Sequence, residues 1–305
     1  MLGFRPEMDL ITLRAGQTGL RLAPGLGGAV ARYWDDLGAT TVDWLRPTAP
    51  DALGSGDPYR RAAFPLVPYS NRIREGRFVF QGRAVTLPLN RPPERHSIHG
   101  HGWLAAWTPI EVQASHAELE YRHAAGPWPW TYRARQCLAL APGRLTVELA
   151  LTNESETPMP AGLGWHPYFP RTPRTTITAE VRAMWRTDAE VMPTELVPVF
   201  PPRDPGRGIR PDDVPLDNGF TGWSRRAVIE WPERRGRLVV TAEPPLDFLV
   251  LYTPPGRDFF CLEPVSHATD AVNLAAAGRP DTGLLTLEPG ETVRAAVTLA
   301  PARLA

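Results

Sequence analysis

Arg144-Leu145-Thr146-Val147-Glu148-Leu149-Ala150-Leu151-Thr152-Asn153 alternates almost without fault. Leu145, Val147, Leu149 and Leu151 fall on one side of an extended chain, Thr146 and Glu148 on the other. A period of two marks a half-buried antiparallel strand, because successive side chains of an extended backbone point to opposite faces. Val293, Ala295, Val297 and Leu299 repeat the pattern near the C-terminus. Shorter runs of the same kind occupy residues 10–13, 20–22, 29–34, 78–80, 85–89, 133–140, 227–231, 238–242, 248–252 and 259–263, most of them bounded by Gly, Pro, Asn or Asp. Gln81-Gly82 separates two of these runs and predicts a tight hairpin turn. Helical windows are scarce, and the best of them, 270–277, is short. The 35 prolines, about twice the usual share, oppose long helices. The expectation is an all-β fold, a sandwich or barrel of short antiparallel strands with few short helices.

Length and composition narrow the rest. A chain of 305 residues, 43% hydrophobic and 22% charged, buries a large core without disulfide or metal staples. No repeat, linker or low-complexity tail divides it, so residues 1–305 are read as one β-sandwich domain. The proline- and charge-rich stretch 193–217 is the expected long loop. Equal numbers of basic and acidic side chains, 33 each, argue against a nucleic-acid partner. Every basic residue is arginine, which excludes Schiff-base and pyridoxal-phosphate chemistry and the phosphate-loop lysine. Cys137 and Cys261 make neither a disulfide framework nor a zinc cluster by sequence spacing. Glu7 and Asp9 stand where a secretory leader has its apolar stretch, and no apolar run approaches about 18 residues. A cytoplasmic protein without membrane contact, monomer or homodimer, is expected.

The histidines carry the chemistry. His96, His99 and His101 crowd into one segment, and a His-x-His pair on a strand would share a face and invite a metal. The glutamate that a cupin-like site needs a few residues on is replaced by Ala105 and Ala106, so no metal is expected. Other pieces fit together better: Asn71-Arg72-Ile73 in a loop, Trp165-His166-Pro167-Tyr168-Phe169, Asp217-Asn218-Gly219-Phe220, and Phe259-Phe260-Cys261-Leu262-Glu263-Pro264. Alternation places Phe259, Cys261 and Glu263 on one face, and a glutamate beside an aromatic ring is either paired or functional. Each residue also has a plainer reading: His166 bonded to a backbone carbonyl, Arg72 on the surface, Asp217 closing an Asx-turn.

Taken in order, Asn71-Arg72-Ile73, Ile98-His99-Gly100, His166-Pro167-Tyr168-Phe169, Asp217-Asn218-Gly219-Phe220 and Glu263-Pro264 resemble the aldose 1-epimerase, or sugar mutarotase, family. The resemblance implies a large antiparallel β-supersandwich with a sugar cleft on one open face and no cofactor. It implies Glu263 as general base and His166 as general acid, with Arg72, His99 and Asp217 holding a monosaccharide substrate. Asn71 and Trp165 stand beside these motifs as further sugar contacts, and Trp103 and Trp223 as flat apolar faces. The implied reaction is interconversion of the α and β anomers of a free aldose by ring opening and closing. His101 and Trp165-His166-Pro167 depart from the galactose-type pattern, so the preferred sugar stays open. A sugar-6-phosphate mutarotase, with Arg72, Arg74 and Arg77 as phosphate clamp, and a non-catalytic sugar-binding protein are the alternatives.

Overall fold

A computed structural model describes residues 10–55 and 57–303. Glu7 and Asp9, named in the reading of the N-terminal stretch, lie outside the described residues. Two large antiparallel sheets, of 11 and 8 strands, face each other, and three two-stranded ribbons flank them. The all-β expectation holds.

The alternating decapeptide is the strand Arg144–Asn153, at the centre of the 8-stranded sheet. It lies between Tyr132–Ala141 and Thr292–Arg303. Leu145, Val147 and Leu149 stand opposite Leu299, Val297 and Ala295, all of them buried. A fully buried Leu or Val contributes about 1.5–3 kcal/mol, and each aligned pair is lost together if the register slips by one residue. One hydrophobic cluster joins these side chains to Leu13, Leu20, Trp165, Phe169, Phe220, Leu249, Phe260 and Leu262 of the larger sheet.

Five central strands of the larger sheet underlie the cleft: β1 (Ala63–Leu66), β2 (Gly164–Pro170), β3 (Asp217–Thr221), β4 (Phe248–Tyr252) and β5 (Phe259–Val265). Their spatial order is β1-β2-β5-β4-β3, antiparallel throughout. One face of this sheet packs on the core. The other carries a second, smaller apolar cluster including Phe64, Tyr168, Val250 and Cys261.

The structure corrects some local expectations. The hairpin at Gln81-Gly82 forms, both residues with positive φ (48° and 80°), but its second strand is Arg83–Thr86 rather than 85–89. The 193–217 stretch begins as a strand, Pro193–Pro198, because it finds an edge to pair on along Ala183–Thr187. The expected helix is Ala271–Ala276; a second, Pro50–Ser55, carried no periodic signal.

Candidate active site

The outer face of the central strands floors a cleft of about 910 Å³. Alternation decides which side chains enter it. On β2, His166 and Tyr168 line the cleft, while Trp165 and Phe169 turn into the core. On β5, Phe259 and Glu263 line it with Cys261 buried between them, while Phe260 and Leu262 face inward. Asp217 enters from β3 and Tyr252 from β4. Trp165, expected as a sugar contact, is therefore a core residue with 0% exposure: neighbours on a strand cannot share a face, and His166 holds the cleft side. Trp103 and Trp223 are buried too, and neither lines the cleft. The aromatic walls are Tyr59, Tyr168, Tyr252 and Phe259.

β2 and β5 pair Gly164 with Val265 and Tyr168 with Cys261, a register that sets His166 level with Glu263. His166 Nε2 lies 3.3 Å from Glu263 Oε1, and both residues are buried. Three rings hold the imidazole: Phe64 at 4.6 Å, Tyr168 stacked at 4.8 Å, and His99 edge-on at 5.2 Å. This apolar shell sets the electrostatics. Burial drives the His166 pKa down to about 3, with the Arg46 cation adding to the effect. Burial also raises the Glu263 carboxyl well above its ordinary value, as does the Asp217 charge, against the pull of Arg72. Both shifts favour the uncharged forms, a neutral imidazole facing a protonated carboxyl.

His99 and Asn71 face each other in left-handed backbone conformations (φ 61° and 57°). The His99 N–H donates to the Asn71 carbonyl at 2.9 Å, and the Asn71 N–H donates to His99 Nδ1 at 3.1 Å. Because Nδ1 accepts, the proton of neutral His99 sits on Nε2. Burial, with the neighbouring His166 and Arg72, holds His99 neutral. The Asn71 side-chain carbonyl accepts from the Arg72 N–H at 2.9 Å and from its guanidinium at 3.3 Å, so Asn71 shapes the loop that presents Arg72. Arg72 is also paired with Glu94 at 3.3 Å. Burial raises the Asp217 carboxyl, while the Arg72 cation acts to lower it. The cleft therefore brings together Glu263, His166, His99, Asn71, Arg72 and Asp217, and leaves Trp165 out.

Further residues complete the lining, Arg46 without any sequence signal and His96 from the histidine-rich segment. Arg46 donates to the Tyr59 and Arg61 carbonyls and lies over the rings of Tyr168 (4.2 Å) and Phe259 (4.4 Å). His96 stands at the rim, Nε2 3.4 Å from Glu190, while Arg95 pairs with the same carboxylate at 2.7 Å. His101 points elsewhere, stacked on His123 at 4.3 Å and hydrogen bonded to Tyr132. The left-handed turn at His99-Gly100 (φ 61° and 69°) breaks the alternation that would have put His99 and His101 on one face. Arg74 pairs with Asp188 and Asp270, and Arg77 is 71% exposed beside Glu75, so these two do not join Arg72 in a phosphate clamp. One convergent set of metal donors is present at the floor: the ligand atoms of His166, Cys261 and Glu263 lie within 4.8 Å of one another.

A family model described as "Aldose 1-epimerase" matches residues 9–300. An uncharacterized protein of Escherichia coli (strain K12), YphB, is 33% identical over 96% of this chain and 98% of its own length. A second uncharacterized protein of the same organism, YihR, is 30% identical over 34% of each chain. Among solved structures, an E. coli K12 protein provisionally assigned as an aldose 1-epimerase superposes with a TM-score of 0.86, at 32% identity, over 97% of this chain and 99% of that one. A galactose mutarotase-like protein from Clostridium acetobutylicum shares the fold, with a TM-score of 0.87 at 20% identity, covering 99% of this chain and 98% of that one.

Proposed function

The chain belongs to the aldose 1-epimerase family, and from that premise we propose that it interconverts the α and β anomers of a free aldose. The observation that carries the reading is the facing pair of His166 Nε2 and Glu263 Oε1, 3.3 Å apart on the cleft floor. Anomer interconversion needs one group to take the proton of the C1 hydroxyl and another to protonate the ring oxygen. A pair that holds one proton between two buried groups meets that need, and the two transfers together leave its total unchanged.

In the proposed cycle, sugar hydroxyls replace the proton on Glu263, which passes to His166. The Glu263 carboxylate then accepts the proton of O1 while His166 gives its own to the ring oxygen. The bond from C1 to the ring oxygen breaks, and C1 becomes the aldehyde. After a half-turn about C1–C2, the ring oxygen returns a proton to His166 as it attacks the other face, and O1 recovers a proton from Glu263. No atom or electron is left over. Each positioned group contributes about 10²–10⁴-fold, and a thousandfold corresponds to about 4 kcal/mol of barrier.

Arg72, Asp217 and the Nε2–H of His99 supply the donors and acceptors that orient the sugar hydroxyls, and the tyrosine and phenylalanine walls cover its apolar face. The proposal carries the expectation of a cofactor-independent cytoplasmic isomerase, working as a monomer or homodimer. Among the described residues no helix is long and apolar enough to cross a membrane. The test is polarimetry on freshly dissolved α-anomers of several hexoses and pentoses. The expected result is faster approach to the same final rotation for at least one sugar, retained in the presence of chelator. Tight sugar binding without acceleration would instead identify a binding protein, and acceleration confined to 6-phosphorylated sugars would identify a sugar-phosphate mutarotase.

A further inference from the structure

We propose that His166, Cys261 and Glu263 form a binding site for a thiophilic divalent cation such as zinc, and that the metal and a sugar exclude one another on the cleft floor. The exclusion rests on the proposed proton-transfer roles of His166 and Glu263; the metal site itself rests on geometry alone.

Among the described residues this is the one group of three His, Cys, Asp or Glu donors that converges in this way. Strand alternation supplies it: Cys261 and Glu263 share a face of β5, and His166 of β2 stands level with Glu263. The spacing suits a tetrahedral ion. With zinc–ligand distances of about 2.0–2.2 Å to nitrogen and oxygen, two tetrahedral donors lie about 3.4 Å apart. His166 Nε2 and Glu263 Oε1 are already 3.3 Å apart. A zinc–sulfur bond of about 2.3 Å needs Sγ about 3.6 Å from each partner. From separations of at most 4.8 Å the sulfur has little more than an ångström to close, within reach of a small side-chain rotation.

Charge supports the same assignment. A divalent cation, one thiolate and one carboxylate sum to zero, which removes the main cost of burying ions in so apolar a place. Three protein donors leave the fourth tetrahedral position open, toward the cleft that His166 and Glu263 line. The ion would use the imidazole lone pair and the carboxylate oxygen that proton transfer needs. On binding, the cation sheds water ligands, and the thiol proton and the proton held by the Glu263 carboxyl both pass to solvent.

Cobalt(II) chloride is the probe, because a thiolate-bound cobalt ion absorbs in the near ultraviolet by charge transfer. We expect the intact protein to take up one equivalent with that band, and zinc chloride to erase it. Zinc should slow mutarotation competitively, raising KM and leaving kcat. Cys261→Ser should lose the band and raise the half-inhibiting zinc concentration about tenfold or more, with metal-free activity kept. Absence of the band in the unaltered protein, which needs no variant to fold, would overturn the proposal. So would zinc inhibition that Cys261→Ser leaves unchanged. A cobalt band without mutarotation would sink the functional reading and leave the metal site standing, and the reverse result would do the opposite.

Discussion

His166 and Glu263 face each other from neighbouring antiparallel strands, Nε2 to Oε1 at 3.3 Å, with both side chains closed off from bulk water except through the cleft. Glu263→Gln preserves the shape of this pair and removes the proton acceptor. Its kcat for anomer interconversion is expected to fall about 10²–10⁴-fold, with KM little changed. His166→Asn should fall similarly. The double variant should be no worse than the poorer single one, because the two groups act as a unit. A Glu263→Gln protein with full kcat by polarimetry would remove the carboxylate from the mechanism.

The pH profile follows from the directions of the two shifts. The pair is inactive when it gains a second proton, which burial of His166 delays to about pH 3. It is inactive again when it loses its only proton, which burial of Glu263 delays to well above the ordinary carboxylate range. The enzyme-catalysed kcat/KM, with the solvent reaction subtracted, should therefore stay flat as pH falls through 6.5, with its acid limb only near pH 3 and its other limb above the ordinary carboxylate range. An acid limb centred near the ordinary histidine value would contradict this.

Arg72 and Asp217 are placed to bind rather than to transfer protons. Asp217→Asn and Arg72→Ala should each raise KM by roughly ten- to a hundredfold, the 1.5–3 kcal/mol typical of a hydrogen bond to a charged group. The kcat should fall much less. Initial rates over a range of sugar concentrations separate the two constants, and a loss confined to kcat would count against the binding role.

His267 offers a test of stability against pH. Its Nε2 accepts from the Ser70 N–H at 3.1 Å, Nδ1 lies 2.8 Å from the Ala268 carbonyl, and burial lowers its pKa to about 4. A lowered histidine pKa means the unfolded chain binds the proton more tightly. Its contribution is intact above about pH 6.5 and is lost as pH falls toward 4, at about 1.4 kcal/mol per pH unit. Urea melts at stepped pH should show this slope, and His267→Gln should flatten it by that amount. Equal slopes in the two proteins would contradict the assignment.

Trp165→Phe separates the core from the cleft. The ring is fully buried on the inner face of β2. Its truncation should lower stability by about 1–3 kcal/mol and leave KM for sugar unchanged, as denaturation and polarimetry would show. A raised KM with normal stability would return Trp165 to the sugar site.

The split between legible and hidden features has a physical origin. Alternation located Arg144–Asn153, whose first half alternates between buried and open positions. It failed on β1, Ala63-Phe64-Pro65-Leu66, which is buried on both faces and shows no alternation. It also passed over β2, whose prolines disguise a strand, and the error with Trp165 has the same origin: once His166 faces the cleft, its neighbour cannot. The ordered motifs contain eight of the lining residues, six of them named as site residues: Asn71, Arg72, His99, His166, Asp217 and Glu263. Arg46 and Tyr59 reach the cleft by long-range folding of segments with no distinctive pattern. The nearness of Cys261 to His166 is likewise a product of strand register, which spacing along the chain does not encode.

Exchange NMR at equilibrium tests the central claim most directly. With the preferred sugar and the unaltered protein, magnetisation should pass between the α and β anomeric protons, giving cross-peaks that are absent without protein and absent with Glu263→Gln. Cross-peaks of equal intensity from the glutamine variant would show that the anomers interconvert here without the buried imidazole–carboxylate pair.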